Sequence, residues 1–300
     1  MAKTPEARRA QRQAMNGELP RVFGGTQAAK DAWPFQVALL TTEMLDESDE
    51  SQFDAQFCGG SLISSEWVLT AAHCLVDGEE PVPAELITVL VGATALTDGT
   101  RIPAAEVIVN ANYSMRTLDN DIGLIRLASP AKAPAIRIAD AVADDGTATV
   151  IGWGRMEDGN FPANLMQTEI ELKPNDSCNS GMKEIYRKDL ANLLREFSPR
   201  LRISGDDIET ATAAIAQNMG DPLTENMLCA GTESGVRDAC NGDSGGPLFT
   251  TDDGGPAQVG IVSWGDGPLD SNVACGHRNA FGVYTRISRY RDWIREKTGL

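Results

Sequence analysis

Residues 242–247 read Gly-Asp-Ser-Gly-Gly-Pro, and two other short segments give this stretch its meaning. They are Thr-Ala-Ala-His-Cys at 70–74 and Asp-Asn-Asp-Ile at 119–122. Taken singly, the three segments could be a flexible loop, a packed histidine and an Asn-Asp turn. Taken together, they supply a serine, a histidine and an aspartate. These are the residue types with which a weakly nucleophilic hydroxyl is activated by a base.

The composition and charge of the chain exclude some kinds of binding partner and favour others. The chain has 300 residues, enough for one large domain or two medium ones, with 42% apolar and 23% charged residues. It carries 43 acidic and 26 basic residues, a formal net charge of −17. This charge argues against nucleic-acid binding and favours cationic substrates. No apolar run approaches the roughly 20 residues that span a bilayer, so we expect no membrane span.

The cysteine count points to a compartment without fixing it. An even number of cysteines is compatible with three disulfides in an oxidising environment, whereas reduced thiols in a cytosolic protein remain the alternative. The sequence contains no Cys-x-x-Cys pair, which is the spacing that would suggest a zinc site. The segment 1–20 has no apolar stretch of the kind that an export signal needs. A signal removed from this form of the sequence, or an unusual start site, would reconcile the two observations. The cysteines are Cys58, Cys74, Cys178, Cys229, Cys240 and Cys275.

Short apolar runs broken by turn residues predict an all-β protein of barrel or sandwich type. The Pro/Ala-rich stretch Ser129–Pro134 separates two series of such runs. The first series is Phe35–Leu40, Phe57–Ile63, Leu86–Val91, Ala105–Val109 and Ile122–Leu127. The second is Ala148–Ile151, Leu165–Leu172, Met227–Ala230, Val259–Trp264 and Phe281–Thr285.

Four segments depart from the strand pattern. Residues 1–21 carry a net charge of +3 and predict a flexible basic leader. The stretch Glu43–Asp54 holds six carboxylates and no base, which predicts a solvated loop. Helical spacing within Met182–Asn218, with a capping box at Ser204, predicts an inserted helical hairpin. The tail Ser288–Lys297 predicts a terminal helix.

The three segments, with the flanking motifs, resemble the trypsin/chymotrypsin family of serine endopeptidases. The resemblance runs from Arg21-Val22-Phe23-Gly24-Gly25 to the terminal helix. It includes WPFQV at 33–37, CGGSLI at 58–63, GWG at 152–154, MLCAG at 227–231, SWG at 263–265 and GVY at 282–284. The implied fold is a pair of six-stranded antiparallel Greek-key β-barrels of chymotrypsin-like type, with a terminal helix and the inserted hairpin.

The resemblance divides the chain into segments. A leader covers 1–21, a first barrel 22–133 and a second barrel 134–287. The second barrel holds the helical insert at about 181–220, and the terminal helix covers 288–300.

The resemblance also implies a catalytic triad. Ser244 would attack the substrate carbonyl, His73 would take its proton, and Asp121 would orient the imidazole. The backbone N–H groups of Gly242 and Ser244 would form the oxyanion hole. Ser263 would hydrogen-bond Asp121 from the far side.

Substrate selection would depend on Asp238, six residues before the nucleophile. A carboxylate at the base of the primary pocket implies cleavage after Arg or Lys. Gly265 and Gly282, together with Ser263 and Trp264, match the pocket wall. The alternative is that Asp238 is an ordinary loop aspartate.

The same resemblance implies a precursor. Cleavage of the Arg21–Val22 bond would free the amino group of Val22, which would pair with Asp243 and order the oxyanion hole. This bond follows an arginine, so a protease that cleaves after Arg could activate its own precursor. The implied disulfides are Cys58–Cys74, Cys178–Cys229 and Cys240–Cys275.

The sequence departs from the family at several places. Phe23 replaces the usual valine, and Phe281 stands where proline or tyrosine is usual. Nine residues, 266–274, separate Gly265 from Cys275, where relatives have very few. We expect the change at Phe281 and the nine-residue insertion to touch the pocket wall. The loop Gly92–Thr100 has only Asp98 as a carboxylate, so we expect no metal there and no cofactor elsewhere.

The basic residues of the insert admit two interpretations, an exosite beside the cleft or a solvated helix face. They are Lys183, Arg187, Lys188, Arg195, Arg200 and Arg202.

The sequence leaves two rival functions to consider. Residues 242–246 also satisfy Gly-x-Ser-x-Gly, and Asp266 or Asp270 followed by His277 gives the chain order of an α/β-hydrolase. That fold needs strand–helix alternation, which 22–180 lack. A non-catalytic binding protein on the protease scaffold is the second rival, although such proteins usually lose a triad residue. We therefore expect a monomeric, secreted or periplasmic serine endopeptidase that acts on polypeptides and meets protein inhibitors.

Overall fold

The fold is described from a computed structural model, which describes residues 3–14, 25–156, 158–235, 237–271 and 275–300. Five α-helices lie in these ranges: α1 Lys3–Ala14, α2 Glu50–Ala55, α3 Asn175–Leu201, α4 Gly205–Asn218 and α5 Arg291–Thr298. None of these helices is long and apolar enough to span a bilayer.

Strands make up most of the regular structure in the described ranges. Those of the first half of the chain are β1 Thr26–Gln27, β2 Gln36–Thr41, β3 Gln56–Leu62, β4 Trp67–Thr70, β5 Val76–Asp77, β6 Glu80–Pro81, β7 Ile87–Val91, β8 Thr100–Val109 and β9 Gly123–Leu127. Those of the second half are β10 Arg137–Ile138, β11 Gly146–Gly152, β12 Met166–Lys173, β13 Met227–Gly231, β14 Pro247–Asp252, β15 Gly255–Trp264 and β16 Gly282–Arg286.

Two six-stranded antiparallel barrels result, as the family resemblance implied. The first closes in the order β2-β3-β4-β9-β8-β7. The second runs β12-β11-β14-β15-β16-β13 and closes through the pairing of β13 with β12. The residues of β12 alternate between buried and more exposed positions along the strand. This alternation is expected where one face of a strand points into the core and the other points outward. Closure removes the free sheet edges that open strands would expose.

Aromatic side chains join the two barrels. Phe249 on β14 of the second barrel packs against Trp33 and Phe35, which precede β2 of the first. The ring centroids lie 4.8 Å and 5.5 Å from that of Phe249. This contact fixes one barrel against the other, which matters because the candidate site takes residues from both.

Three disulfides are present: Cys58–Cys74, Cys178–Cys229 and Cys240–Cys275. This is the pairing that the family resemblance implied. The first bridge connects β3 to the turn that holds His73, and the second connects the start of α3 to β13. The third lies at the wall of a cavity described below.

The inserted hairpin consists of α3 and α4. Ser204 caps α4, because its Oγ accepts a hydrogen bond from the backbone N–H of Asp207 at 3.1 Å. Helix α3 begins at Asn175, before the predicted start of the insert at about 181. The terminal helix α5 buries Ile294 and ends at Gly299, whose φ of 77° is the left-handed conformation that glycine adopts most easily.

Most of the basic side chains of the insert are paired with carboxylates of the hairpin and its end. Arg187 lies 3.0 Å from Glu209 and 2.8 Å from Glu184, and Lys183 lies 2.6 Å from Asp221. Arg195 also pairs with Glu209. These pairs favour the interpretation of a solvated helix face over that of an exosite.

Two sequence expectations need correction. The segment 1–21 was expected to be a flexible leader, yet its described part, Lys3–Ala14, is the helix α1 and buries Arg8. The stretch Glu43–Asp54 was expected to be a solvated loop, yet it includes most of α2 and buries Asp54. Both errors have one cause: tertiary contacts between α1 and α2 stabilise charged segments that local patterning assigns to solvent.

Candidate active site

His73 and Asp121 are joined by two hydrogen bonds. His73 lies in a short 3₁₀ turn, Ala72–Cys74, directly after β4. Its Nδ1 is 2.8 Å from Oδ2 of Asp121, and its backbone N–H donates to Oδ1 of the same carboxylate at 2.8 Å. The imidazole is thus held at both its backbone and its ring, with Nε2 turned away from the carboxylate.

Asp121 is buried just before β9 and receives a further donor. The hydroxyl of Ser263 donates to its Oδ2 at 2.5 Å, and Thr285 donates to its backbone carbonyl at 2.6 Å. Burial raises the pKa of the Asp121 carboxyl, but the adjacent His73 and the hydrogen bonds from His73 and Ser263 outweigh it. The net pKa therefore lies below the ordinary value, and the carboxylate stays charged beside the imidazole.

Ser244 comes from the second barrel, in the loop that precedes β14, and is half-buried. Cys74 Sγ lies 3.7 Å from Nε2 of His73 and 3.6 Å from the carbonyl oxygen of Ser244, so the imidazole and the backbone of Ser244 both contact one sulfur atom. The described part of the chain contains no hydrogen bond between Ser244 Oγ and the imidazole. Such contacts are often long without substrate and shorten when it binds.

The loop 241–246 is held from several sides. The carbonyl oxygen of Gly242 accepts a hydrogen bond from Nε2 of Gln56 at 3.0 Å, and that of Asn241 accepts one from the backbone of Arg155 at 2.8 Å. Gly242 has a φ of 100°, a conformation that side chains resist. The loop conformation is therefore fixed by its neighbours as well as by its glycines.

Some backbone N–H groups of this loop have no hydrogen-bond partner in the described part of the chain. The N–H groups of Asp243, Gly245 and Gly246 donate to the carbonyl oxygens of Cys240, Val262 and Asp243. Those of Gly242 and Ser244 have no hydrogen-bond partner among the described residues. A pair of free N–H groups beside a serine hydroxyl is the arrangement that can accept a developing oxyanion.

A cavity of about 100 Å³ opens beside Ser244. Asp238 lies in its wall and is buried, with its Oδ1 accepting a hydrogen bond from the N–H of Ala239 at 2.8 Å. Burial raises the pKa of the Asp238 carboxyl to about 7, against the lowering effect of backbone amides. A buried carboxylate that has no cation beside it favours the binding of one.

The walls of the cavity include the predicted Ser263, Trp264, Gly265 and Gly282. A Cβ at Gly282 would lie 2.4 Å from Oδ1 of Asp238, so only glycine leaves that carboxylate accessible. Phe281 was expected to touch this wall and does not line it. Its ring packs instead beside Gly231 and below Lys173, whose Nζ is 6.0 Å from the ring centroid.

Helix α3 supports the cavity wall from outside. The hydroxyl of Tyr186 donates to Asp266 at 2.6 Å, and Asp189 accepts a hydrogen bond from the N–H of Leu269 at 3.2 Å. Asp266 and Leu269 both belong to the predicted insertion 266–274. Residues 272–274 of this insertion lie outside the described residues. The inserted hairpin and the inserted loop are thus one packed unit.

Asp243 is buried directly behind the loop. Its carboxylate accepts hydrogen bonds from the N–H groups of Gly154 at 2.7 Å and Cys240 at 3.0 Å. A Cβ at Gly152 or Gly154 would lie 2.1 Å or 2.3 Å from its oxygens, which explains the Gly-Trp-Gly motif. Burial raises the pKa of the Asp243 carboxyl to about 6, while the two amides and Arg8 lower it.

The predicted cleavage bond, Arg21–Val22, and the departure Phe23 lie outside the described residues. Two features of the site escaped the sequence reasoning. One is the contact of Tyr186 and Asp189 with the cavity wall, which depends on long-range packing. The other is Arg8, which lies in a basic, polar segment whose composition predicts solvent-exposed side chains. Nothing in the local pattern marks either one.

The described residues contain one cluster with metal-ligand spacing, Cys58, His73 and Cys74. Both cysteines are in a disulfide and cannot act as thiolate ligands.

A pair of barrels with a Ser, His and Asp at their junction defines the serine-protease type of protein. Comparison with known families agrees: the family described as Trypsin matches residues 22–193 and 202–294. The chain therefore belongs to the trypsin family.

Several curated proteins resemble the chain over most of its length. Transmembrane protease serine 11G of Mus musculus is 32% identical over 291 residues, which cover 94% of this chain and 56% of that protein. Trypsin-3 of Salmo salar is 31% identical over 93% of this chain and 94% of its own length. Mannan-binding lectin serine protease 1 of Mus musculus is 29% identical over 94% of this chain and 36% of its own. The chain spans about half the length of the first of these relatives.

Proposed function

We propose that the protein is a serine endopeptidase that hydrolyses peptide bonds after Arg or Lys. The observation that carries this proposal is the joint placement of four residues. Asp121 holds His73 through two 2.8 Å hydrogen bonds, Cys74 Sγ contacts both that histidine and the backbone of Ser244, and Asp238 lies in the cavity beside the serine. No part of this arrangement requires a cofactor.

The chemistry follows from the positions of these groups. Ser244 Oγ attacks the substrate carbonyl carbon while His73 Nε2 takes the hydroxyl proton. His73 then gives this proton to the leaving amine, which leaves an acyl-enzyme. Water attacks the ester next, again losing a proton to His73, and the acid product departs as Ser244 regains its proton. Asp121 remains ionised and stabilises the imidazolium at both steps.

The oxyanion of each tetrahedral intermediate would accept hydrogen bonds from the N–H groups of Gly242 and Ser244. The proposal is supported by the lack of any other partner for these donors among the described residues. Their loop is already held by Gln56 and Arg155, so little reorganisation accompanies the reaction. Loss of one such donor typically lowers the rate on the order of 100- to 1,000-fold.

The substrate side chain would enter the cavity and pair with Asp238. A carboxylate that is desolvated and raised in pKa gains most from a guanidinium or ammonium group. Gly265 and Gly282 would leave room for a long side chain. The net charge of −17 would also attract basic polypeptides at low ionic strength.

We further propose that the chain is a precursor that is cut at Arg21–Val22, after which the new amino group pairs with Asp243. Three disulfides support a secreted or periplasmic location. The expected partners are polypeptide substrates and protein inhibitors that occupy the cleft, with the protein itself a monomer.

Hydrolysis of chromogenic peptides tests the proposal. The chain would be cut at Arg21–Val22, verified by N-terminal sequencing, and offered matched peptides that end in Arg or in Phe. We expect turnover of the Arg peptide alone, with none by the Ser244→Ala control. No turnover of either peptide by the cut protein would overturn the proposal and support a binding role on the same scaffold.

A further inference from the structure

Arg8 is a fully buried cation that the proposed mechanism does not use. It lies on α1, and its guanidinium carbon lies 4.9 Å and 4.4 Å from the ring centroids of Phe53 and Phe161. Its Nη2 donates a hydrogen bond to the carbonyl oxygen of Trp153. Burial of an arginine is costly unless nearby negative charge offsets it. The burial of Arg8 therefore indicates negatively charged groups nearby.

The helix that carries Arg8 is docked on the protein body. Gln11, one turn further along α1, exchanges two hydrogen bonds with the backbone of Phe161: its Nε2 donates at 2.9 Å and its Oε1 accepts at 2.5 Å. Pro5 is buried on the same helix. The segment upstream of Arg21–Val22 thus makes specific contacts with the loop 155–161.

Two buried carboxylates, Asp243 and Asp54, supply the charge that acts on Arg8. Each favours the cationic form of the guanidinium, and Arg8 in turn lowers the pKa of Asp243. The guanidinium also lies near the candidate oxyanion loop, since a Cβ built on Gly242 would be 3.7 Å from its Nη2. Arg8 therefore lies close to the loop that carries Asp243, the carboxylate to which Val22 is proposed to bind.

The site is assembled while Arg8 occupies this position. The carboxylate of Asp243 holds the amides of Gly154 and Cys240, and the N–H groups of Gly242 and Ser244 are without partners among the described residues. The cavity beside Asp238 is open. A buried carboxylate that lacked a cation would favour rearrangement toward solvent, and its loop would move with it.

We propose that Arg8 is a positioning residue that acts through Asp243 to hold the oxyanion loop in place before the chain is cut. The uncut protein then has an Arg8-dependent basal activity, enough to cleave Arg21–Val22 in another copy. That cut separates α1 from the body and exchanges one cation, the guanidinium, for another, the amino group of Val22. This inference rests on the proposed endopeptidase function.

The test uses full-length chains that cannot be cut at residue 21. The parent is Arg21→Gln, compared with Arg21→Gln combined with Arg8→Gln or with Arg8→Lys. An exposed arginine, Arg126→Gln, is the matched control in the same parent. Three quantities are measured: the rate at which an Arg-type phosphonate modifies Ser244, the dissociation constant of benzamidine, and the folded fraction by circular dichroism.

We expect the Arg8→Gln chain to react with the phosphonate on the order of 100-fold more slowly than the parent, the loss typical of a disrupted oxyanion hole. Benzamidine binding, which reports the cavity at Asp238, should change less than about threefold, and the Arg126→Gln control should match the parent. The Arg8→Lys chain should remain within about tenfold of the parent, because it keeps a cation. A merely structural role would lower the folded fraction and benzamidine binding together.

Two results overturn the inference. One is an unchanged phosphonate rate in a folded Arg8→Gln chain. The other is a parent that does not react although wild-type protein cut at Arg21 does, which leaves the proposed function intact. If neither form reacts, the proposed function itself fails. Should Arg8→Gln not fold, the Arg8→Lys chain decides: a folded protein that has lost about 100-fold contradicts the proposal.

Discussion

The backbone N–H of Gly59 donates a 2.7 Å hydrogen bond to the carbonyl oxygen of Ser244. Gly59 lies on β3 of the first barrel, directly after Cys58, whose disulfide partner Cys74 follows His73. One short path of covalent and hydrogen bonds therefore runs from the candidate nucleophile to the candidate base across the junction of the barrels. Preorganisation of this kind keeps reacting groups within the narrow geometry that catalysis needs.

Replacement of Ser263 by alanine should weaken the support of Asp121. The carboxylate loses a hydrogen bond to a charged group, which typically contributes about 1.5–3 kcal/mol. We expect kcat to fall roughly tenfold or more, with KM nearly unchanged. Ser198→Ala, a half-buried serine near the end of α3, is the control. Equal kcat values for the two variants would show that Ser263 does not help to orient Asp121 and His73.

The same variant has a consequence for pH. Because the folded-state pKa of Asp121 lies below its ordinary value, its ionisation contributes stability at neutral pH that is lost as pH falls through the folded pKa. Loss of the Ser263 hydrogen bond makes this pKa less depressed. Acid unfolding of Ser263→Ala, followed by tryptophan fluorescence, should therefore begin at a higher pH than in the parent. A lower midpoint would contradict the account.

Two glycine substitutions separate close contact from open space in the cavity wall. A Cβ at Gly282 would be 2.4 Å from Asp238 Oδ1, whereas at Gly265 its nearest neighbour would be Gly282 Cα at 3.7 Å. We expect Gly282→Ala to lower kcat/KM for Arg peptides at least 100-fold, about 3 kcal/mol, and Gly265→Ala much less. Similar losses in the two variants would argue against Asp238 as the specificity group.

Binding of a cation in the cavity should strengthen as pH rises through about 7. Burial raises the pKa of Asp238 to about that value, so the empty site is partly neutral near neutrality. The inhibition constant of benzamidine should fall between pH 5 and pH 8 by about tenfold or more. Asp238→Asn should bind weakly at every pH. A flat profile in the parent would mean that the carboxyl is already fully ionised at pH 5.

The cost of the buried charge should also appear in thermal stability. A carboxyl with a raised folded-state pKa stabilises the fold in its protonated form, and that contribution is lost as pH rises through about 7. Asp238→Asn should therefore melt on the order of 5 °C above the parent at pH 8, and close to it at pH 4. The matched control is Asp253→Asn, on the exposed hairpin turn. A pH-independent difference would exclude this linkage.

The hairpin should influence substrate binding through Tyr186. Its hydroxyl donates to Asp266 at 2.6 Å, and burial together with this aspartate raises the pKa of the phenol above its ordinary value. Tyr186→Phe should raise KM for Arg peptides by about two- to fivefold without a large change in kcat. Phe197→Ser, exposed on the same helix, should leave KM unaltered. An equal KM in Tyr186→Phe would show that the wall is held by other contacts.

The sequence predicted those parts of the fold that local pattern controls. Alternating strands, the Ser204 cap and the spacing of apolar residues in the insert are local signals, and the structure contains the corresponding elements. The residues of the candidate site could be named because three motifs occur in a recognisable order. Their geometry could not be named, since the 2.8 Å contacts join residues 48 positions apart.

The missed features share a physical cause. Arg8 is buried among groups from distant segments, with Phe53 and Phe161 at its guanidinium and the carbonyl oxygen of Trp153 as acceptor. A charged side chain in a polar segment is normally solvated, and no local rule predicts such convergence. The contact of Tyr186 with Asp266 likewise joins two insertions that the sequence treats separately.

The assignment of Ser244 and His73 can be tested by mapping, with mass spectrometry, the residue that an Arg-type phosphonate modifies. We expect a single adduct on Ser244, formed by the protein cut at Arg21–Val22 and blocked by benzamidine. It should be lost in His73→Ala, which keeps the cavity but removes the base. An adduct on another residue, or undiminished labelling of His73→Ala, would contradict the assignment of Ser244 and His73.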